Sequence, residues 1–508
     1  MDSPTSRRCT ETFTHIYKSR ASPHPTVARL AATREGLLLL APRTVVCNTR
    51  TSLEDHSLLN EDQVMVKKSL RYASRGLPRV RSCQCWTIAT MLAALWLYLW
   101  VYYFRDVGNV SHQLQVTTPR LRFHVTTHRP KPSRAAGPGV VSRNIEAHLV
   151  VLPQGLADET GAYCLDGSPP AYYFRNATSE EHHNSWIIHL MKGAWCYDNA
   201  ECARRSATAL GSSRKLRPKK LFGGILSSSF TVNPDFYDWN VAVVNYCDGA
   251  SFSGDREDPV ISNKKKMYYR GSRVLNAVIN YLLKSAGLQR ADRVILSGDS
   301  AGGLAVLLHA DRVSRMVPKN TSFKAMADGG FFLANEADTS GKTQWKSAME
   351  NVYQMQQIEG GLDKDCLLAK EKNKSECFFA QHTYPYLTTP VFVVNSVYDS
   401  WTLKNILGVR CRPSKCNEKD LGVIEKHRRT FLQRMDQVNR YDKNGMFLTS
   451  CYAHLLTCVD SPWMTYKVAG RTAREAFADW YYERTTPAET RDVDCDSNLT
   501  CNPTCRSN

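Results

Sequence analysis

Among the 508 residues, the segment best suited to chemistry is RVILSGDSAGGLAVLLHADRV, residues 293 to 313. It contains Gly298-Asp299-Ser300-Ala301-Gly302, a Gly-x-Ser-x-Gly pattern whose serine is a candidate nucleophile. The β-branched run RVILS precedes the pattern, and Leu304, Ala305, Leu307 and Leu308 follow it at helical spacing. Strand, tight turn and helix in that order predict a nucleophile elbow. The turn lifts the hydroxyl above the sheet, and glycines flank it because side chains there would collide.

The letters GDS also occur in trypsin-like proteases. Those enzymes are all-β, carry histidine and aspartate before the serine, and have Gly directly after it where this chain has Ala301. An elbow serine instead takes its acid and then its base from downstream. Four histidines follow Ser300: His309, His382, His427 and His454. His309 falls in the helix after the elbow, and His427 lies beside Lys426, Arg428 and Arg429, so both suit structural or solvated roles. His454, in FLTSCYAH, has the position of a loop base. Asp399 follows the strand-like VFVVNS, at the carboxyl end where sites of open α/β sheets collect. Asp328 is the rival acid, and Asp299 is too close to the serine to turn back easily on its neighbour's imidazole. Spacing alone leaves the pairing open.

These residues need a scaffold. WIIHL (186–190), VAVVNY (241–246), RVILS (293–297) and VFVVNS (391–396) read as buried strands. A helix is expected between the second and third, with Val274, Leu275, Val278, Ile279, Leu282 and Leu283 on one face and Gly287 near its end. Strand, helix and strand at this spacing predict an α/β fold, a mostly parallel sheet covered by helices, over 148–508.

The rest of the chain reads differently. Residues 86–104, WTIATMLAALWLYLWVYYF, form a charge-free run with aromatic ends, expected to be a single transmembrane signal anchor. Residues 1–85 carry 14 Lys+Arg against 7 Asp+Glu and read as a basic, largely disordered cytoplasmic tail; Cys83 and Cys85 beside the membrane are candidate palmitoylation sites. Residues 105–147, with Pro119, Pro130, Pro132 and Pro138, read as a stem that also offers a place for proteolytic release. A type II membrane protein with a lumenal or extracellular enzyme is expected. Sequons at Asn109, Asn176, Asn320, Asn373 and Asn498, and 13 of the 17 cysteines, lie on that side. An odd count leaves at least one of those thiols free or intermolecular. The basic excess there would favour an anionic partner, although charge alone suits a solvated basic face better, and no module for nucleic acid accompanies it.

A resemblance carries the reading further. CLDGSPPAYYF (164–174), NPDFYDWN (233–240), YCDGASFSGD (246–255), SGDSAGGLA (297–305), DGGFF (328–332), CFFAQ (377–381), NSVYDSW (395–401) and NGMFLTSCYAH (444–454) resemble successive landmarks of the pectin acetylesterase family. The animal Notum carboxylesterases share its superfamily. The resemblance implies a single α/β-hydrolase-like domain and a serine carboxylesterase without metal or cofactor. It implies Ser300 as nucleophile, His454 as base and Asp399 as the group that orients the imidazole, with Gly193, Ala194 and Ala301 donating N–H groups to the oxyanion. Phe332, Phe378 and Phe379 match aromatic acyl-pocket positions of the animal branch. The substrate implied is an O-acetylated polysaccharide, pectin in plant members, or an acylated protein.

Two departures from the plant pattern stand out. In Met191-Lys192-Gly193-Ala194-Trp195-Cys196, Lys192 replaces a glycine, and a positive φ there would be strained. Asp299 occupies a position that is often Cys. Either change could impair activity, leaving a glycan-binding homologue. The animal branch has Trp where this chain has Ala194, and its motifs are less similar, so a short acyl group is expected. Cys196 and Cys202 are close enough to close a small loop, and Cys495, Cys501 and Cys505 suggest a stapled C-terminal segment without the histidines of a zinc site.

Overall fold

The computed structural model describes residues 144–508, except 335–337, 339, 343, 439–440, 495–500 and 506–508. The tail, the run 86–104 and nearly all of the stem lie outside the described residues. Among the described residues no helix is long and apolar enough to cross a membrane.

Ten strands form one sheet: β1 Ala147–Val151, β2 Ala171–Arg175, β3 Ser185–Leu190, β4 Lys219–Lys220, β5 Asn240–Val244, β6 Arg293–Asp299, β7 Ser322–Asp328, β8 Val391–Ser396, β9 Gly445–Thr449 and β10 Arg491–Val493. Their order is β10-β9-β8-β7-β6-β3-β5-β2-β1-β4. From β10 to β5 all neighbours are parallel; the β5/β2, β2/β1 and β1/β4 pairs are antiparallel. The expected α/β architecture is therefore present, with an antiparallel flank that the sequence reading did not foresee.

The central strands read as continuous apolar runs because both faces are covered. Every residue of β3, β5 and β8 is buried. Successive side chains point to opposite faces. Trp186, Ile188 and Leu190 join one core with Val294 and Leu296, and Ile187 joins the other with Val241, Val243 and Ile295. The first core is roofed by α1 (Gly271–Tyr281) and α2 (Ala301–Met316). Helix α1 buries Val274, Leu275, Val278 and Ile279, and its continuation ends where Gly287 takes φ 98°. The second core packs under α4 (Ala473–Tyr481), which carries Phe477 and Trp480 against Phe392 of β8. A short helix α3 (Ser400–Asn405) leaves the end of β8.

Five disulfides join Cys164–Cys247, Cys196–Cys202, Cys366–Cys377, Cys411–Cys416 and Cys451–Cys505. Cys501 is also disulfide-bonded, and Cys458 is the free thiol among the described residues.

Candidate active site

Strand β6 ends at Asp299 and α2 begins at Ala301, so Ser300 alone makes the turn, at φ 57° and ψ −121°. Left-handed backbone at a non-glycine residue is costly and is held here by its surroundings. The Ser300 N–H donates to the carbonyl of Asp328 at 2.8 Å, at the end of the neighbouring β7. A Cβ at Gly302 would run into the carbonyl oxygen of Leu190 at the end of β3, so the helix can approach the sheet only as glycine there.

The structure brings Ser300, His454 and Asp399 together. Ser300 Oγ lies 2.9 Å from His454 Nε2, and His454 Nδ1 lies 2.7 Å from Asp399 Oδ2. Asp399 caps α3, with its Oδ1 accepting from the Thr402 N–H at 2.7 Å. The carboxylate is therefore held by the helix it starts, with one oxygen left for the imidazole. Burial disfavours the charged form of His454, but the charge and hydrogen bond of Asp399 outweigh it and raise the imidazole pKa.

Asp328, the rival acid, is not a partner of the imidazole. It is fully buried, and its carboxylate accepts from the N–H groups of Leu456 (2.9 Å) and Thr457 (2.8 Å) and from the Thr457 hydroxyl (2.9 Å). It thus pins the loop that carries His454. Burial pushes its carboxyl up to about 6, against these hydrogen bonds. His309 is also structural, buried with Nε2 3.0 Å from Ser253 Oγ and 3.2 Å from the Ser251 carbonyl. His427 is buried, and His382 Nε2 contacts Gln381 at 3.0 Å.

The loop after β3 carries the candidate oxyanion donors. The N–H groups of Gly193, Ala194 and Ala301 have no acceptor among the described residues. Gly193 is locked in place: its carbonyl accepts from the Arg205 guanidinium, and a Cβ there would enter the Tyr246 ring. The Tyr246 hydroxyl donates to the Ala194 carbonyl at 2.7 Å. The positive φ of the loop falls on Ala194, at 51°, and not on Lys192, so the strain expected at the lysine is absent.

The two departures from the plant pattern are partners. The Lys192 ammonium lies 2.9 Å from Asp299 Oδ2 and its N–H donates to Asp299 Oδ1 at 2.8 Å. His189 Nε2 adds a contact to Oδ1 at 3.2 Å. Burial would raise the Asp299 carboxyl, but His189 and Lys192 outweigh it and hold it below the usual carboxylate range. Lys192 is thus neither a free cation in the oxyanion loop nor a purely solvated one. Its salt bridge ties that loop to the end of β6.

Beside His454 lies an aromatic wall. The Trp401 ring stacks on the imidazole with centroids 6.0 Å apart and planes 25° apart, and Phe332 stands 6.4 Å from it. Trp195, Phe332, Trp345 and Trp401 contact one another at 5.1 to 6.0 Å. Of the three phenylalanines expected in an acyl pocket, Phe332 is in this wall and Phe379 touches it through Trp345. Phe378 is fully buried and makes none of the described ring contacts with the cluster. Trp345 and Trp401 were not anticipated; Trp401 had a signal, standing two residues after the candidate acid.

A sequence model of the family described as Pectinacetylesterase matches residues 143–506. Pectin acetylesterase 5 of Arabidopsis thaliana is 36% identical over 365 residues, covering 69% of this chain and 83% of its own. Pectin acetylesterase 11 of the same plant is 37% identical over 68% of this chain and 89% of its own. The palmitoleoyl-protein carboxylesterase NOTUM of Homo sapiens is 27% identical over 67% of this chain and 66% of its own. The fold is similar to that of the Wnt deacylase Notum from Drosophila, with a TM-score of 0.63 at 24% identity, covering 72% of this chain and all of that one. On the extent of the family match and the identity to the plant enzymes, this chain belongs to the pectinacetylesterase family and is a carboxylic ester hydrolase.

Proposed function

We propose that the protein is a serine carboxylesterase that removes O-acetyl groups from a polysaccharide of the pectin kind. The observation that carries the mechanism is the hydrogen-bond chain from Asp399 through His454 to Ser300. With Nδ1–H donated to Asp399, Nε2 presents a lone pair to the serine hydroxyl. His454 takes that proton as Ser300 Oγ attacks the ester carbonyl, then returns it to the departing sugar alcohol. Water cleaves the acetyl-enzyme by the same proton path in reverse. The N–H groups of Ala301, Gly193 and Ala194 receive the oxyanion, each donor worth about 3 to 4 kcal/mol of barrier.

The acetyl group is favoured by higher identity to the plant acetylesterases than to the NOTUM carboxylesterases. Acetate release from acetylated pectin by wild type and not by Ser300→Ala tests the reading. Equal release by both would end it. The second reading, a carboxylesterase for an acylated protein, is favoured by Trp401 and Phe332 standing beside His454. It requires medium-chain esters to be hydrolysed faster than acetyl esters.

The same reading keeps the enzyme on the lumenal or extracellular side, anchored through residues 86–104. The five disulfides support an oxidising compartment, and Asn176, Asn320 and Asn373 are exposed, as glycan acceptors need to be.

A further inference from the structure

Beside the turn at Ser300, at the carboxyl ends of β3 and β6, His189, Asp299 and Cys458 converge. Their ligand atoms all lie within 4.8 Å of one another. His189 Nε2 is 3.2 Å from Asp299 Oδ1 and 3.6 Å from Cys458 Sγ. A tetrahedral Zn2+ with ordinary bond lengths sets a nitrogen–oxygen edge of about 3.4 Å and a nitrogen–sulfur edge of about 3.6 Å. The two edges at His189 are close to those of a tetrahedral zinc site, and the third, between Asp299 and Cys458, is no longer than 4.8 Å. We infer that His189, Asp299 and Cys458 bind Zn2+, with a water in the fourth position.

Three features favour a metal over an ordinary buried polar cluster. First, the donor set is imidazole, carboxylate and thiol, the combination that borderline-soft Zn2+ takes. Secondly, the imidazole is held as zinc-bound histidines are. His189 Nδ1 lies 2.9 Å from Ser297 Oγ, so in the metal-bound form its N–H is donated there and Nε2, which donates to Asp299 without the metal, is left with a lone pair for the ion. Thirdly, the positions are rigid. His189 pairs with Ser297 across β3 and β6, so His189, Ser297 and Asp299 share one face of the central sheet, and both His189 and Asp299 are buried. Cys458 follows Thr457, which Asp328 anchors through its N–H and hydroxyl.

The Lys192 ammonium is the competing cation. Its side chain is 49% exposed, so it swings to solvent when the metal arrives, while its N–H stays on Asp299. Cys458 binds as thiolate, its proton released to solvent as the zinc–sulfur bond forms. The ligands come from three remote segments, which is why no metal motif is legible in the sequence. Occupied, the site clamps β3, the nucleophile strand and the histidine loop to one ion.

The test is a titration of full-length wild type, Cys458→Ser and His189→Gln with Co2+ alone. Cobalt occupies tetrahedral zinc sites and reports a thiolate ligand by a sulfur-to-metal charge-transfer absorption. The expected result is a band in wild type saturating at one equivalent above any seen in Cys458→Ser, displaced by Zn2+, and missing from His189→Gln. Zn2+ also raises the melting temperature of wild type and not of either variant. Metal-free melting curves establish that each variant is folded; if His189→Gln is not, Cys458→Ser decides alone. The proposal is overturned by a wild type without the band, by a band of equal strength in Cys458→Ser, which would assign the metal to other thiols, or by an equal Zn2+ shift in melting temperature in wild type and Cys458→Ser.

Discussion

Asp399→Asn separates the catalytic reading of Asp399 from a structural one, because the two carboxylate oxygens do different things. Oδ1 caps α3 through the Thr402 N–H at 2.7 Å, and Oδ2 receives His454 Nδ1 at 2.7 Å. Asparagine is as good an N-cap as aspartate, so its carbonyl keeps the helix. Its amide then stands where Oδ2 was and donates to Nδ1, forcing the imidazole into the tautomer with its proton on Nε2. That proton points at Ser300 Oγ, 2.9 Å away, and the base can no longer accept. In triads of this geometry the loss is about 10⁴-fold in kcat, about 5 kcal/mol of barrier. The melting temperature should move little. The assay is steady-state hydrolysis of a chromogenic acetyl ester over a pH series, beside thermal melting. In wild type the acid limb of kcat/KM should lie above the ordinary histidine pKa of about 6.5, because Asp399 outweighs burial at His454. In the variant the residual activity should have its limb below that of wild type, since burial remains and the charge is gone. The sign for stability is the opposite of that for activity. The raised pKa stabilises the fold fully below the unfolded value, and that contribution is lost as pH rises through the folded value. A kcat reduced by less than about tenfold, or a limb that does not move, would refute the assignment.

Three further outcomes are expected. Asp328→Asn leaves a buried amide donor facing the N–H groups of Leu456 and Thr457; it should cost about 1 to 3 kcal/mol in denaturant unfolding and lower kcat more than it raises KM. Gly193→Ala drives a methyl into the Tyr246 ring that braces Ala194, and should reduce kcat by about 10²-fold while Ser300 still reacts with a fluorophosphonate. Replacing both cysteines of Cys164–Cys247, separated by 83 residues, by serine should cost about 4 to 5 kcal/mol, against about 2 kcal/mol for Cys411–Cys416, separated by 5; equal losses in denaturant melts would contradict the loop-entropy argument.

The parts of the fold legible in the sequence were those buried on both faces. β3, β5, β6 and β8 are dense in β-branched residues, and the serine turn has glycines where the backbone leaves no room. Among the strands missed, β7 and β10 carry polar residues that are satisfied by distant partners. In β7, SFKAMAD, the Lys324 ammonium reaches the Tyr481 carbonyl at 2.9 Å, and in β10 Asp492 meets Arg471 at 2.8 Å. At the candidate site, Ser300 could be named from its strand–turn–helix context, and Asp399 and His454 as candidates whose pairing only the family resemblance supplied, but the contact between Lys192 and Asp299 could not be read at all. Their separation of 107 residues hides a pairing that turns two apparent defects into one salt bridge. The strain assigned to Lys192 was likewise misplaced by two residues, because the sense of a turn is set by what packs beneath it, here Tyr246 and Arg205.

Asp328 has a consequence for tolerance. Its carbonyl positions the Ser300 N–H and its carboxylate positions the loop of His454, so Ser300 and His454, 154 residues apart, are both measured from one strand end. A change elsewhere that tilts or slides the sheet carries that reference point with it, and the serine-to-imidazole distance is preserved while both groups travel. Remodelling of the outer strands and surface loops should therefore disturb the serine-to-imidazole distance less than a change at the tip of β7.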